Sequence, residues 1–345
     1  MRGLVAGART GGRALLVLAV GLLCGPACLG GEGITVVSYN VENLFQPGVQ
    51  ENNPDTDYSP EGAKHFTYRR LDQKIALIGR ALVVAGGWGK ADIIGLCEVE
   101  NRYVLERLLQ KSVLGRAGYW VVHRDSPDRR GIDVAMLYRK DRLRLLGARW
   151  RRVMVDTAQQ KYSRDLLLAS FQTPKGNVLH IIQCHWPSKF GGEEASLPRR
   201  EIAARETRHL ADSLLSRDST ASIIAMGDFN EVVDNPIFGL LTGENGHSPG
   251  LRAAEQQRAE ASGLASYKYG GISESIDHFF VSPGLLARRG DEGLRAKLPA
   301  RVCAPDFLLE VDGKYGGLRP FRSYLGPQWH GGASDHLPIV LELAE

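Results

Sequence analysis

Six short polar islands concentrate Asn, Asp, Glu and His in this 345-residue chain, and each adjoins an apolar, strand-like run. They read SYNVEN (38–43), CEVEN (97–101), CHWPS (184–188), GDFN (227–230), SESIDHFF (273–280) and SDHLPIV (334–340). Asn, Asp, Glu and His without a cysteine cluster form a donor set suited to a hard divalent cation and to acid–base work. Loops at sheet edges gather such groups on a rigid support, so one metal-assisted site built from all six islands is expected. Glu98, in an acid-poor apolar strand, is the leading carboxylate ligand. Glu42 follows Asn40 by two residues and shares its face if the strand continues. Asp228 and Asn230 alternate along GDFN and face one side if that segment is extended.

The elements that must position these groups are legible as hydrophobic periodicity. Strands are predicted at Ile34–Tyr39, Asp92–Cys97, Tyr119–His123, Val134–Tyr138, Leu166–Phe171, Val178–Cys184, Ser222–Met226, Ile276–Val281 and Leu337–Leu343. Leu71, Ile75, Ile78 and Leu82 recur at three- and four-residue spacing, which predicts a helix over Tyr68–Val84 ended by Gly86–Gly87. Further helices are predicted from Val104 and over Ala203–Leu215, whereas 46–62 reads as loop and 241–263 as a polar surface excursion. Strands alternating with helices in one unit over residues 31–345 argue for a two-sheet α/β sandwich. Cys97 and Cys184 directly precede Glu98 and His185, so alternation puts both thiols on the packed side, away from the cleft. Trp186 and Trp329 read as isolated aromatics.

Residues 1–30 have the order of an export signal: Arg2, Arg9 and Arg13, then the apolar run Ala14–Leu23, then small residues. Cys24 and Cys28 add a lipoprotein-type alternative, and an exported location (periplasmic, secreted or anchored to the envelope) follows. No later segment is apolar enough to span a membrane. Without the three leader arginines the chain carries 40 basic and 39 acidic residues. That balance excludes the strongly basic class that grips nucleic acid mainly by counterion release.

SYNVEN, Glu98, RGIDVAMLY (130–138), CHWPS, GDFN, IDHFFVS (276–282) and SDHLPIV occur in that order over residues 34–343. In this the chain resembles the endonuclease/exonuclease/phosphatase superfamily, and especially its exported bacterial nuclease-like members. The resemblance implies a four-layered α/β sandwich: two packed, mostly antiparallel β-sheets flanked by helices. It implies Glu98 as principal metal carboxylate, with Asn40 and Asp335 near the same ion, which would be Mg²⁺ with Mn²⁺ or Ca²⁺ as alternatives. It pairs His336, as general base, with Asp277, and gives Asp228 the attacking water or leaving oxygen and Asn230 the phosphoryl oxygens. His185 is the histidine of deoxyribonuclease-like and sphingomyelinase-like members, and Asp133 is expected to orient it. Arg130, Arg164 and Lys189 are weaker candidates for phosphate contacts. The expected protein is an exported, monomeric, Mg²⁺-dependent phosphodiesterase whose substrate is DNA or RNA. Two alternatives stand beside it: a phosphoesterase for a small or lipid phosphate, sphingomyelinase-like or inositol-phosphatase-like, and a catalytically inactive module that binds a phosphorylated ligand.

Overall fold

The computed structural model describes residues 33–48, 56–87, 91–243, 250–287 and 293–345, and the leader expected at 1–30 lies outside them. Thirteen strands make the two main sheets: β1 (Gly33–Leu44), β2 (Ile93–Val99), β3 (Tyr119–His123), β4 (Asp133–Arg139), β5 (Arg144–Arg151), β6 (Leu166–Gln172), β7 (Val178–His185), β8 (Ser222–Asp228), β9 (Arg252–Ala253), β10 (Gln256–Gln257), β11 (Asp277–Val281), β12 (Arg295–Val302) and β13 (Ile339–Ala344). Seven run in the order β10-β12-β13-β1-β2-β4-β3 and six in the order β9-β11-β8-β7-β6-β5. Pairing is mostly antiparallel, with β1/β2, β7/β8 and β10/β12 parallel.

This topology gathers the islands. The C-terminal ends of β1, β2, β7 and β8 meet the N-terminal starts of β4, β11 and β13 at one edge of the sandwich. Register completes the alignment: Asp228 lies between His185 on β7 and Asp277 on β11.

Period-2 alternation divides β8 between two cores. Ile224 and Met226 join the core shared with the seven-stranded sheet, whereas Ile223 and Ala225 pack with helix α3 (Glu193–Leu215). Helices α1 (Tyr68–Ala85) and α2 (Arg102–Lys111) contribute their buried stripes to the first core. The result is the four-layered α/β sandwich. Trp186 is not isolated: it is buried against Phe229 and Phe238 under α3. Trp329 packs on Phe66 and Tyr324.

Several boundaries differ from the periodicity. Helix α3 starts at Glu193, ten residues before the predicted Ala203, and contains Pro198. A proline this near the N-terminus removes only one backbone bond, and Glu193 and Glu194 suit the positive end of the helix dipole. Strand β5 escapes prediction because it is a basic edge strand whose charges face water. The polar stretch 241–263 supplies the short strands β9 and β10, one to each sheet.

Two glycines permit the close approaches. A Cβ on Gly95 would sit 1.9 Å from Gln183 Oε1 and 2.6 Å from Met226 Cε, both on the opposite sheet. A Cβ on Gly227, whose φ is +136°, would sit 1.9 Å from the carbonyl oxygen of Cys184. Gly227→Ala is therefore expected to lose about 1–3 kcal/mol of stability from overpacking and to displace Asp228 from His185. Thermal unfolding together with turnover checks this, and a variant with wild-type melting and rate would refute the constraint.

Candidate active site

The strand ends curl. Of six non-glycine residues with positive φ among those described, four lie in the islands: Glu42 (47°), Asn43 (50°), Glu98 (63°) and Asn230 (52°). Such conformations cost energy and concentrate at functional sites. The Cys97 thiol is buried between the sheets, on the packed side as expected, and donates to the Cys184 carbonyl at 3.2 Å. The left-handed turn at the next residue brings the Glu98 carboxylate to the site. Cys184 lies on the helix side, 3.8 Å from Thr207 Oγ1.

At the centre, Asn40 Nδ2 on one sheet donates to Asp228 Oδ2 on the other at 2.9 Å, with Glu98 Oε1 at 3.5 Å from the same nitrogen. Glu98 Oε2 accepts from the Asn43 amide at 2.9 Å. Asp228 Oδ2 stands 3.7 Å from His185 Nε2 and 3.7 Å from His336 Nε2. His336 Nδ1 meets Asp277 Oδ2 at 2.7 Å. The Asn230 amide donates to Asp228 Oδ1 at 2.8 Å, and its side chain donates to the Trp186 carbonyl. Asn40, His185, Asp228, Asp277 and His336 are buried, and Glu98 keeps 14% of its side chain exposed.

The two histidines carry different charge. Burial opposes ionisation of His336, but Asp277 and Asp228 outweigh it and raise its pKa well above the usual value. Burial and the Arg164 and Arg130 guanidinium groups drive His185 well below it. Arg164 Nη2 lies 2.7 Å from His185 Nε2 and Arg164 Nε lies 3.2 Å from Nδ1; a neutral ring can accept at one of these nitrogens, a charged ring at neither. Burial pushes Asp228 up to about 7, with His336 pulling down and Asp277 pushing up. Glu98 is raised by burial but lowered further by Arg130, Arg164 and His336, so it is an anion. As the site stands, His336 is a proton donor, and the base role implied for it requires that proton to leave first.

A second cluster lies beside the first. Glu42 Oε1 accepts from Arg322 at 3.1 and 3.3 Å, its Oε2 accepts from the Ser323 amide at 2.7 Å, and Arg322 also holds Asp335 Oδ2 at 3.0 Å. Lys74, buried on α1, donates to the Glu42 carbonyl and to Ser323 Oγ. Burial lowers this amine to about 8 against the pull of Glu42, Asp335 and Glu98. The expected ligand set thus divides: Asn40 and Glu98 stand with Asp228, whereas Glu42 and Asp335 are clamped by Arg322. The physical reason is the left-handed pair Glu42–Asn43, which ends the alternation that would have kept Glu42 on the face of Asn40.

Two other expectations are corrected. Asp133 does not orient His185: it bonds His123 Nε2 at 2.9 Å and the Ser126 amide at 2.8 Å, because β3 is the neighbour of β4 in its own sheet whereas β7 belongs to the other. Lys189 is held by Glu231 at 2.9 Å and Glu193 at 3.3 Å rather than offered to a phosphate. Arg130 and Arg164 do reach the site, through Glu98 at 3.9 Å and through His185. Both line a cavity of about 750 Å³ with Arg199, Tyr162 and Phe190. Sequence reasoning missed Arg322, Lys74 and His123. Only Lys74 left a signal, a cation on the apolar stripe of α1.

The fold and the strand-end cluster define a class of protein. Residues 35–345 match the endonuclease/exonuclease/phosphatase family, and the chain belongs to it. Members of that family are hydrolases acting on phosphoesters. The catalytic domain of human nocturnin, solved with a bound sulfate, superposes with a TM-score of 0.52 at 15% identity over 90% of this chain and 94% of that one. A mannosyl-6-phosphatase of Bacteroides thetaiotaomicron gives 0.54 at 16% identity over 90% and 100%. A truncated TDP2 from Caenorhabditis elegans gives 0.52 at 15% over 91% and 98%. At these identities the likeness is one of fold. No curated protein matches the sequence.

The corrected partner of His185 yields a direct test. Arg164→Ala is expected to cut turnover by about 10²-fold, the scale of losing one preorganised charge contact. Asp133→Asn is expected to leave turnover of the folded fraction within a few-fold. The reverse order of effects in steady-state kinetics would restore Asp133 as the orienting group.

Proposed function

We propose that this protein is an exported, divalent-metal-dependent phosphodiesterase, a nonspecific nuclease acting on DNA or RNA. The observation that supports this reading best is the junction of His185 and Arg164 with a cavity whose lining includes Arg130, Arg199, Tyr162 and Phe190. Guanidinium groups match phosphate oxygens, and aromatic rings match base faces. The leader-like residues 1–30 support export.

The donor set fits a hard cation. Glu98 is anionic, and among the described residues its Oε1 has long contacts to Asn40 at 3.5 Å and His185 at 3.9 Å. Glu98 and Asn40 would hold Mg²⁺, which when bound supplies charge neutralisation at the phosphoryl oxygens and acidifies water. The protein's own groups do the rest. Arg164 and His185 bind phosphoryl oxygens, Asn230 fixes Asp228, and Asp228, poised at about 7, accepts the proton of the attacking water. The charged His336, held by Asp277, faces the negative charge that builds up on the reacting phosphate.

A second reading, hydrolysis of a small phosphoester, is favoured by the cavity volume, which falls in the range of small-molecule sites. A mannosyl-6-phosphatase also shares the fold.

Nicking of supercoiled plasmid is expected with Mg²⁺, Mn²⁺ or Ca²⁺, and none with EDTA. Glu98→Ala, Asp228→Ala and His336→Ala should each lose about 10²–10³-fold in turnover. No cleavage of plasmid or of single-stranded DNA or RNA by folded protein, with turnover on small phosphoesters, would move the assignment to the second reading. The pH profile is a separate check: a protonated Asp228 cannot accept a proton, so turnover should rise as pH passes through about 7. A flat profile from pH 5.5 to 8.5 would remove Asp228 as the base.

A further inference from the structure

Large aromatic side chains stand exposed on both flanks of the site, and on each flank arginine and lysine outnumber the acids of the cavity lining. On the His185 side, Phe190 is 87% exposed, and its carbonyl accepts from Arg199 at 3.1 Å. It shares the 750 Å³ cavity with Arg130, Arg164 and Tyr162. Two glycines in the left-handed region, Gly191 and Gly192, follow it and lift the ring clear of α3.

On the His336 side, a hairpin pairs Tyr267–Tyr269 with Ile272–Glu274. It is rooted on the active site, since the Tyr267 ring lies 4.7 Å from the His336 ring. Its tip presents Tyr269, 72% exposed, and Ile272, 64% exposed. A second hairpin, Leu309–Val311 with Leu318–Pro320, abuts it and presents Tyr315, 51% exposed. Lys268 locks the two together through Asp312 at 3.1 Å and the Gly316 carbonyl at 2.8 Å. Between them lies a depression of about 260 Å³ that runs from Tyr269, Tyr315 and Lys314 to Arg322 and Asp335 of the site.

Strand order fixes the arrangement. Strands β11 and β13 carry the hairpin flank, β1 and β8 the centre, and β2, β4 and β7 the Phe190 flank. The reacting groups thus stand between two aromatic, basic platforms.

We propose that the substrate is a single-stranded polynucleotide that runs across the site, with bases stacked on Phe190 on one side of the scissile phosphate and on Tyr269 and Tyr315 on the other. This rests on the nuclease reading above and adds strandedness and mode of cleavage. Base faces reach exposed rings only when unpaired, and stacking tolerates any sequence because every base has a π-face. A duplex hides those faces, and gripping it by phosphates alone needs many cations. The 40 basic and 39 acidic residues beyond the leader do not supply that excess. Platforms on both sides bind chain in both directions, so cleavage is internal and needs no free end.

Circular single-stranded DNA and circular single-stranded RNA, which have no ends, are the test substrates, with supercoiled duplex and bis(p-nitrophenyl) phosphate for comparison. Opening of at least one single-stranded circle faster than duplex nicking is expected, and the two arms identify the sugar. Phe190→Ala and the double variant Tyr269→Ala/Tyr315→Ala should each lower kcat/KM on the circle, relative to bis(p-nitrophenyl) phosphate, by about tenfold. Duplex cut in preference, circles left intact while linear strands are trimmed, or an unchanged ratio in both variants would overturn the proposal while leaving the enzyme a nuclease. Turnover of bis(p-nitrophenyl) phosphate without cleavage of any nucleic acid would overturn the nuclease reading and this inference with it.

Discussion

Two hydrogen-bonded pairs bridge the sandwich at its working edge, and the site exists only where they do. Asn40 on β1 donates to Asp228 on β8 at 2.9 Å, and His336 before β13 meets Asp277 on β11 at 2.7 Å. In each pair the partners belong to different sheets, so neither sheet carries the chemistry alone. The pairs cannot themselves hold the sheets together. A net hydrogen bond to a charged group contributes about 1.5–3 kcal/mol, no more than burying one Ile, Leu or Phe side chain, and dozens of those are buried here. The apolar core therefore sets the offset of the sheets, and the polar pairs are made where that offset places them. Gly95 is part of the same constraint, because its missing side chain lets Gln183 and Met226 of the opposite sheet come close.

That dependence explains what was legible in the sequence. Strand periodicity and the polar islands located the elements and the central residues Asn40, Glu98, His185, Asp228, Asp277 and His336, since each lies next to a strand end that hydrophobicity marks. Side-chain partnership was less legible because it depends on strand order. Asp133 and His185 both lie at strand ends near the site, yet they sit on different sheets, and β3 gives Asp133 its partner in His123. Local backbone also escaped prediction. Glu42, Asn43, Glu98 and Asn230 are not residues that announce a left-handed turn as glycine does, and the turns decide which way Glu42 and Glu98 face. Arg322 lies in an aperiodic stretch and gave no signal, whereas Lys74, three residues after Leu71 and one before Ile75, marked a buried cation that needed partners.

The arginines then divide the labour between two chemically identical side chains. His185 and His336 stand equally far, 3.7 Å, from the same Asp228 oxygen, and burial disfavours the charged form of both. At His185 burial decides the outcome and Arg164 reinforces it, so that ring stays neutral, whereas at His336 Asp277 and Asp228 outweigh burial and that ring is charged. Exchanging Arg164 and Asp277 would exchange the roles, so a histidine motif alone does not specify which ring gives and which takes. Asp228, between a neutral ring and a charged one, can hold a proton near neutrality in a site that also contains the anionic Glu98. The same arrangement explains how a nearly neutral protein can bind an anion. Screening confines surface charges to roughly 10 Å at ordinary salt, so a phosphate responds to Arg130, Arg164 and His336 at the strand ends and not to the charge of the whole chain.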